Sequence, residues 1–274
     1  MKTAVSEMDL RRATSLDEAL QILRDEKRMP IAGATDVYVA SNFGTLVQRQ
    51  FLDIWALDEL RTIAKRDDTL VIGALTSYTS LMQSHLVNEH VPMLARASGL
   101  VGGVQIQNRG TLGGNIANGS PAADGVPVLS AVDAVVVLRS VDGERRVGIN
   151  EYYTGYRKTV MRPDELIIAI EIAPIAGKQW FRKVGTRAAQ AISKVVMAAV
   201  RSDKPRIAFG SVAPTIVRVP QTEKILASGG SIDVAAYVLS RELKPIDDVR
   251  STADYRLRVS VNLLRRFWAD TADG

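Results

Sequence analysis

Residues 108–124 read NRGTLGGNIANGSPAAD, and this run sets the expectation for the whole chain. It holds Gly110, Gly113, Gly114 and Gly119, with Thr111, Asn115, Asn118 and Ser120 between them, and only Leu112 and Ile116 are large aliphatic residues. Glycine reaches left-handed backbone conformations and lets backbone N–H groups approach a ligand with no Cβ in the way. Successive N–H groups of such a loop form an anion-binding nest, to which Thr, Asn and Ser side chains add neutral hydrogen bonds. A phosphate or diphosphate is the natural guest, and an ordinary long surface loop is the competing reading. A second segment favours the guest. Residues 30–36 read PIAGATD, an apolar lead-in followed by Gly33, Thr35 and Asp36. Two such loops are able to close on a diphosphate from both sides.

Neither loop carries a common nucleotide motif. A Walker A loop ends in Gly-Lys-Ser/Thr, and no such ending follows Gly113-Gly114. A Rossmann fingerprint needs Gly-x-Gly-x-x-Gly at a strand-to-helix turn, and Gly33 stands alone in its loop.

At 274 residues the chain is long enough for one large domain or two smaller ones. Apolar residues make up 46% and charged residues 24%, near the globular average. No apolar run approaches the roughly 18 residues of a membrane helix. The opening MKTAVSEMDLRRAT lacks the apolar region of a signal peptide, so a cytoplasmic location is expected, with no membrane contact. The chain has no cysteine, which removes disulfides, thiolate catalysis and any iron–sulfur cluster held by this chain. His85 and His90 are its only histidines and are expected on the solvated face of an amphipathic segment. The net charge of +5 comes from Lys and Arg scattered among acids, with aromatics at 5% and no basic stripe, so no nucleic-acid partner is expected.

Along the chain, Ser15 and Glu18 form a capping box ahead of a helix over 16–26. Short strands follow at 30–32 and 51–54. A hairpin is expected over 62–72, then a helix from Thr76 or Ser77 to Leu86 and another opening at Pro92. The glycine loop comes next, followed by a helical stretch over 121–131, a hairpin over 134–149 and a strand over 166–172. Three antiparallel strands (180–184, 193–201, 206–212) precede helices at 223–227, 234–243 and 255–268. Arg256, Arg258, Arg265 and Arg266 are expected on the solvated side of the last helix. Strands followed by helices argue for a separate C-terminal α+β domain. The division expected is 1–175 (subdomains about 1–57 and 58–175) and 176–274.

With these pieces assembled, the chain resembles the FAD-binding subunit of the molybdenum-containing hydroxylases, the xanthine dehydrogenase and carbon monoxide dehydrogenase family. The resemblance runs nearly the whole length, through ATSLDEALQIL, IAGATD, NRGTLGGNIANGSPAAD, ELIIAIEI, FRKVGTRAAQAISKV and FGSVAPTIVR. It is nearest to bacterial xanthine dehydrogenase-like members. It implies an α+β architecture, the p-cresol methylhydroxylase-type FAD fold of two subdomains plus a C-terminal α+β domain closing over the flavin.

The resemblance also implies site residues. Ala32, Gly33, Ala34, Thr35 and Asp36 of the first loop, with Thr111, Gly113, Gly114 and Asn115 of the second, would hold the FAD diphosphate. Asp124 falls where the family has an acid bonded to the cofactor, a helix N-terminal charge being the alternative. Ile167 and Lys183 match positions lining the site, though Lys183 also suits a solvated strand. Ile192 falls where a side chain covers the isoalloxazine, or is plain core. Ala34 replaces a second glycine of many relatives and should not use positive φ freely. No acid–base pair or activated nucleophile can be assembled, so the flavin would carry the chemistry. The partners implied are a [2Fe–2S] iron–sulfur subunit and a molybdenum cofactor subunit in a dimer of heterotrimers, with NAD or another electron acceptor. A self-contained flavin reductase and a flavin-free scaffold are the rival functions.

Overall fold

A computed structural model describes residues 4–272. The first layer is a parallel sheet built from β1 (Asp9–Arg12), α1 (Leu16–Asp25), β2 (Met29–Ile31), α2 (Val37–Phe43) and β3 (Gln50–Asp53), in the order β1-β3-β2. Helix α1 starts as expected: Ser15 Oγ accepts from the Glu18 N–H at 3.2 Å. The Glu18 carboxylate, however, accepts from the backbone N–H and hydroxyl of Thr14, one residue before the cap. Leu16, Ala19, Leu20 and Leu23 form the buried stripe of α1 and pack with Leu52 and Ile54.

The second layer is larger. It contains β4 (Ile63–Arg66), β5 (Thr69–Gly73), α3 (Tyr78–Gln83), α4 (His85–His90), α5 (Pro92–Ser98), α6 (Val104–Arg109), α7 (Leu112–Asn118) and α8 (Val126–Ala131). It continues with β6 (Val135–Ser140), β7 (Gly143–Gly148), α9 (Ile149–Tyr152), the small pair β8 (Tyr153–Gly155) and β9 (Lys158–Thr159), and β10 (Leu166–Ile172). Its antiparallel sheet runs β4-β5-β10-β6-β7. The helix expected from Thr76 or Ser77 to Leu86 is two helices, because Ser84 ends α3 and its side chain caps α4.

Residues 104–118 depart most from the sequence expectation. They form α6, a turn and α7 where a long loop was expected. Two glycines at about 1 kcal/mol each relative to alanine argue against a helix. Tertiary packing overrides them: Thr111 caps α7, Leu112 and Ile116 bury one face, and Gly119 closes the helix at φ +60°.

The C-terminal layer holds β11 (Lys178–Val184), β12 (Val195–Arg201), β13 (Arg206–Gly210) and β14 (Val217–Arg218), one antiparallel sheet in chain order, covered by α10 (Pro220–Ala227), α11 (Ile232–Glu242) and α12 (Ala253–Asp270). Strand β12 reads VVMAAVR because both its faces are covered. Val196, Ala198 and Val200 join the core beneath the second layer, and Val195, Met197 and Ala199 join the core under the helices. A polar seam ties this sheet to the second layer. Ser211 N–H donates to Pro121 O at 2.8 Å, Arg218 pairs with Asp133 at 2.7 Å, and the Gln179 amide donates to His90 O at 2.9 Å.

Two exposure expectations fail. Arg256 is buried and pairs with Asp248 at 2.6 Å, because α12 packs its first turn under the 246–251 segment. His90 is half-buried with Nδ1 3.0 Å from Leu86 O, whereas His85 is exposed. The expected helix over 121–131 is only α8, preceded by a turn. Among the described residues no helix is long and apolar enough to cross a membrane, and no group of acids or histidines could hold a metal ion.

Candidate cofactor site

The loop after β2 and the turn before α7 meet backbone to backbone. A Cβ built on Gly33 would lie 1.7 Å from the carbonyl oxygen of Arg109, the last residue of α6, so only glycine fits there. Ala34 adopts φ +56°, in the left-handed region that it was not expected to use freely. The residue following Gly33 therefore has the backbone turn that a glycine would take, at a cost of about 1–2 kcal/mol. The Tyr38 N–H donates to Ala34 O at 3.0 Å, which anchors the loop onto α2.

The two segments use their amides differently. Among the described residues, the N–H groups of Gly33, Ala34, Thr35 and Asp36 donate to no protein acceptor. Those of the second segment are committed. Leu112 donates to Thr76 O at 3.0 Å, Gly113 to Ala74 O at 2.8 Å, Gly114 to Thr111 Oγ1 at 3.1 Å and Asn115 to Thr111 O at 3.0 Å. A Cβ on Gly113 would meet Ala74 Cβ at 2.7 Å and Ala74 O at 2.8 Å, whereas Gly114 is exposed and a Cβ there meets only Thr111 Oγ1. Gly113 is thus a packing glycine and Gly114 an open one.

Asp124 lies in the turn between α7 and α8 and is 7% exposed. Its Oδ2 accepts from Lys183 Nζ at 2.6 Å, and that ammonium also donates to Leu100 O at 2.8 Å. Lys183 sits on β11, so the pair crosses from the second layer to the C-terminal sheet; the solvated-strand alternative for Lys183 is excluded by its buried side chain. Burial pushes the Asp124 carboxyl up to about 6 even though the Lys183 ammonium pulls it down. Burial outweighs the partner because only one oxygen is paired: Asp124 Oδ1 is buried with no hydrogen-bond partner.

Ile167 is buried on β10, the strand against which α7 packs. Ile192 is 55% exposed in the connection between β11 and β12, so it is not a core residue. That connection reaches the start of α6, since a Cβ on Gly103 would come 3.3 Å from the Gln190 side chain.

Sequence reasoning missed Tyr78. Its ring lies against Gly110 (3.1 Å from a Cβ built there), and its hydroxyl is buried with no partner. Burial raises its pKa well above the usual tyrosine range, and the Asp124 charge adds to that. Nothing in the sequence marks a tyrosine one residue after a helix cap as an unsatisfied group.

The unsatisfied atoms define what fits. The loop 33–36 amides are donors without acceptors. Asn115 Oδ1 and Asp124 Oδ1 are buried acceptors without donors. A ligand combining phosphate oxygens with hydroxyl or ring N–H donors matches both needs, and a flavin dinucleotide is such a ligand.

Comparison with known proteins agrees with this chemistry. Residues 6–174 match the family model of the FAD binding domain in molybdopterin dehydrogenase, and residues 180–271 that of the CO dehydrogenase flavoprotein C-terminal domain. The chain is 30% identical over 271 residues to the xanthine dehydrogenase FAD-binding subunit of Escherichia coli O157:H7, covering 93% of this chain and 92% of that one. It is 31% identical over 226 residues to the carbon monoxide dehydrogenase medium chain of Hydrogenophaga pseudoflava, covering 78% and 79%. A solved structure of carbon monoxide dehydrogenase from the same organism, lacking the Mo-pyranopterin moiety of its molybdenum cofactor, superposes with a TM-score of 0.90 at 27% identity over 97% of this chain and 99% of that one.

Proposed function

Because the chain belongs to the molybdopterin dehydrogenase FAD-binding family, with the CO dehydrogenase-type flavoprotein C-terminal domain, and is the FAD subunit of a molybdenum hydroxylase-type oxidoreductase, we propose that it relays electrons from [2Fe–2S] clusters of a partner subunit to NAD⁺ or another acceptor. FAD, when bound, supplies the reversible redox chemistry. The chain's own residues bind and orient it. The amides of Gly33, Ala34, Thr35 and Asp36 would donate to the diphosphate, with Ala32 fixing the loop's exit from β2. Thr111, Gly113, Gly114 and Asn115 would form the opposing wall, shaped by the capped turn of α7. Asp124 would accept from a donor on the cofactor, held in place by Lys183. Ile167 would support the floor and Ile192 would cover the exposed side of the ring system.

The observation that carries this reading is the complementary set of unsatisfied groups: four open amides in the first loop, two buried oxygen acceptors in the second segment. The partners proposed are a two-cluster iron–sulfur subunit and a molybdenum subunit, assembled as a dimer of heterotrimers. A cytoplasmic location belongs to the same reading. We also assign residues 1–175 to the FAD-binding unit, in subdomains of about 1–57 and 58–175, and 176–274 to the C-terminal unit.

Acid release of the flavin from the purified chain, followed by chromatography, should yield FAD. Recovery of FMN alone, or a colourless protein that added FAD cannot colour, overturns the reading. The lone chain should turn over no purine or aromatic aldehyde, whereas co-expression with both partner subunits should restore turnover. Oxidation of any such substrate by the lone chain would show a complete enzyme instead of a relay.

A further inference from the structure

The indole of Trp55, two residues past β3, carries two guanidinium groups: the Cζ of Arg61 lies 4.1 Å from the ring centroid and that of Arg109 lies 3.9 Å from it. They are not equivalent. Arg61 is tied down, donating to Asp58 at 3.0 Å, to Leu75 O at 3.1 Å and to Trp55 O. Arg109 is exposed, and among the described residues its guanidinium pairs with no carboxylate and donates to no acceptor. Its backbone carbonyl is the atom against which Gly33 is packed, so the residue sits on the joint between the two loop segments.

Charge makes this position significant. Residues 30–36 and 108–124 contain Asp36 and Asp124 and only one cation, Arg109. The nearby Lys183 is already bound to Asp124. A diphosphate held by these segments would therefore face neutral donors and two acids unless Arg109 serves it. A guanidinium held over an indole has lost part of its rotamer freedom beforehand, and its planar fork of N–H donors suits bidentate contact with phosphate oxygens.

We propose that Arg109, parked on Trp55, is a diphosphate-binding residue of the cofactor site and supplies the countercharge that the two loops lack. The proposal rests on the FAD reading above. Strip the flavin from the purified full chain and titrate FAD by fluorescence quenching at low and high KCl, in the parent, R109Q and R109K. R109Q should bind FAD about tenfold to a hundredfold more weakly, as expected for one charge-assisted contact. Its affinity should also fall less steeply with salt than the parent's, because one ionic contact is gone. R109K should be intermediate, keeping the charge without the planar fork. The thermal midpoint of the stripped R109Q chain should fall by no more than the roughly 1–4 °C that losing one exposed cation–π contact costs.

Parent-like FAD affinity in R109Q overturns the proposal, including the case in which the guanidinium serves a pyridine dinucleotide instead. A weaker affinity accompanied by a fall in the stripped chain's midpoint beyond that range, or by an unchanged salt slope, also overturns it and leaves Arg109 a structural residue. A parent that binds no FAD fails at the earlier step and removes the cofactor reading itself.

Discussion

The segments 32–36 and 111–115 are alike in composition, glycine with a threonine and mostly small residues in each, and they behave oppositely in the fold. The first keeps its backbone donors open from Gly33 to Asp36, while the second has committed every amide from Leu112 to Asn115 to protein acceptors. In the first, glycine allows one backbone to touch another, Gly33 against Arg109. In the second, one glycine packs and its neighbour stays open. A glycine-rich sequence therefore reports close approach without saying what approaches. Only the hydrogen-bond partners separate a ligand-facing loop from a helix cap.

The harshest way to break the comparison is G33A. Its Cβ would need the space of the Arg109 carbonyl, so backbone on both sides must shift. The expected loss is about 3 kcal/mol, the upper end for overpacking, or roughly 6–12 °C of thermal midpoint in a chain of this size, together with loss of FAD. G113A should follow the same pattern through Ala74. A G33A protein with parent-like melting would mean that the joint is loosely built.

G114V should separate folding from binding. Nothing but Thr111 Oγ1 lies within 4 Å of a Cβ there, so the fold loses at most about one N-cap contact, ~1 kcal/mol. The new methyl groups would project into the open side, and FAD affinity should fall about a hundredfold or more, ~3 kcal/mol. Equal flavin content in G114V and parent would move the cofactor away from this turn.

How much of this was legible beforehand follows from what each signal measures. The strands and the C-terminal helices were readable, because alternation and apolar stripes record which faces are buried. The two loops were readable as special, because glycine is costly and is kept for a reason. The helical state of 104–118 was not readable, since it depends on Gly113 meeting Ala74 and on Thr76 and Ala74 accepting its first amides. Asp124 and Lys183 were each visible only through resemblance. Their 2.6 Å contact joins residues 59 apart in sequence, and no local pattern encodes it. The orphan hydroxyl of Tyr78 and the stack of Arg109 on Trp55 are likewise products of tertiary placement.

Asp124 gives a smaller effect with a pH signature. D124N removes the acceptor charge, and FAD affinity should drop about tenfold to a hundredfold. If a cofactor donor bonds Oδ1, binding favours the carboxylate. The parent's affinity should then rise with pH up to about 6 and level off above it, while D124N stays flat over the same range. Stability runs the other way in the stripped chain. The folded pKa is raised above its ordinary value of 3.8, so the contribution of this group is present below about pH 4 and is lost as pH rises through about 6. The stripped parent should therefore lose thermal midpoint relative to D124N between those limits. A parent and variant with parallel FAD-affinity profiles would take Asp124 out of the cofactor's reach.

The mildest test returns to the first loop. Ala34 holds φ +56°, a conformation that costs an L-residue about 1–2 kcal/mol and that glycine takes freely. A34G relieves that strain but loosens the unfolded chain, which offsets about 0.4–1 kcal/mol of the gain. The net should be a stabilisation of between about 0 and 1.6 kcal/mol, a rise in midpoint of roughly 6 °C at most. FAD affinity should change little. The loop's shape is fixed from outside, by Gly33 against Arg109 and by Tyr38 bonding Ala34 O, so freedom at one φ does not free the four amides. Calorimetry of the stripped chain and an FAD titration read the two quantities separately. A marked loss of FAD affinity in A34G would show that the alanine itself preorganises the loop, and that the open amides depend on a strained residue more than on the joint between the two segments.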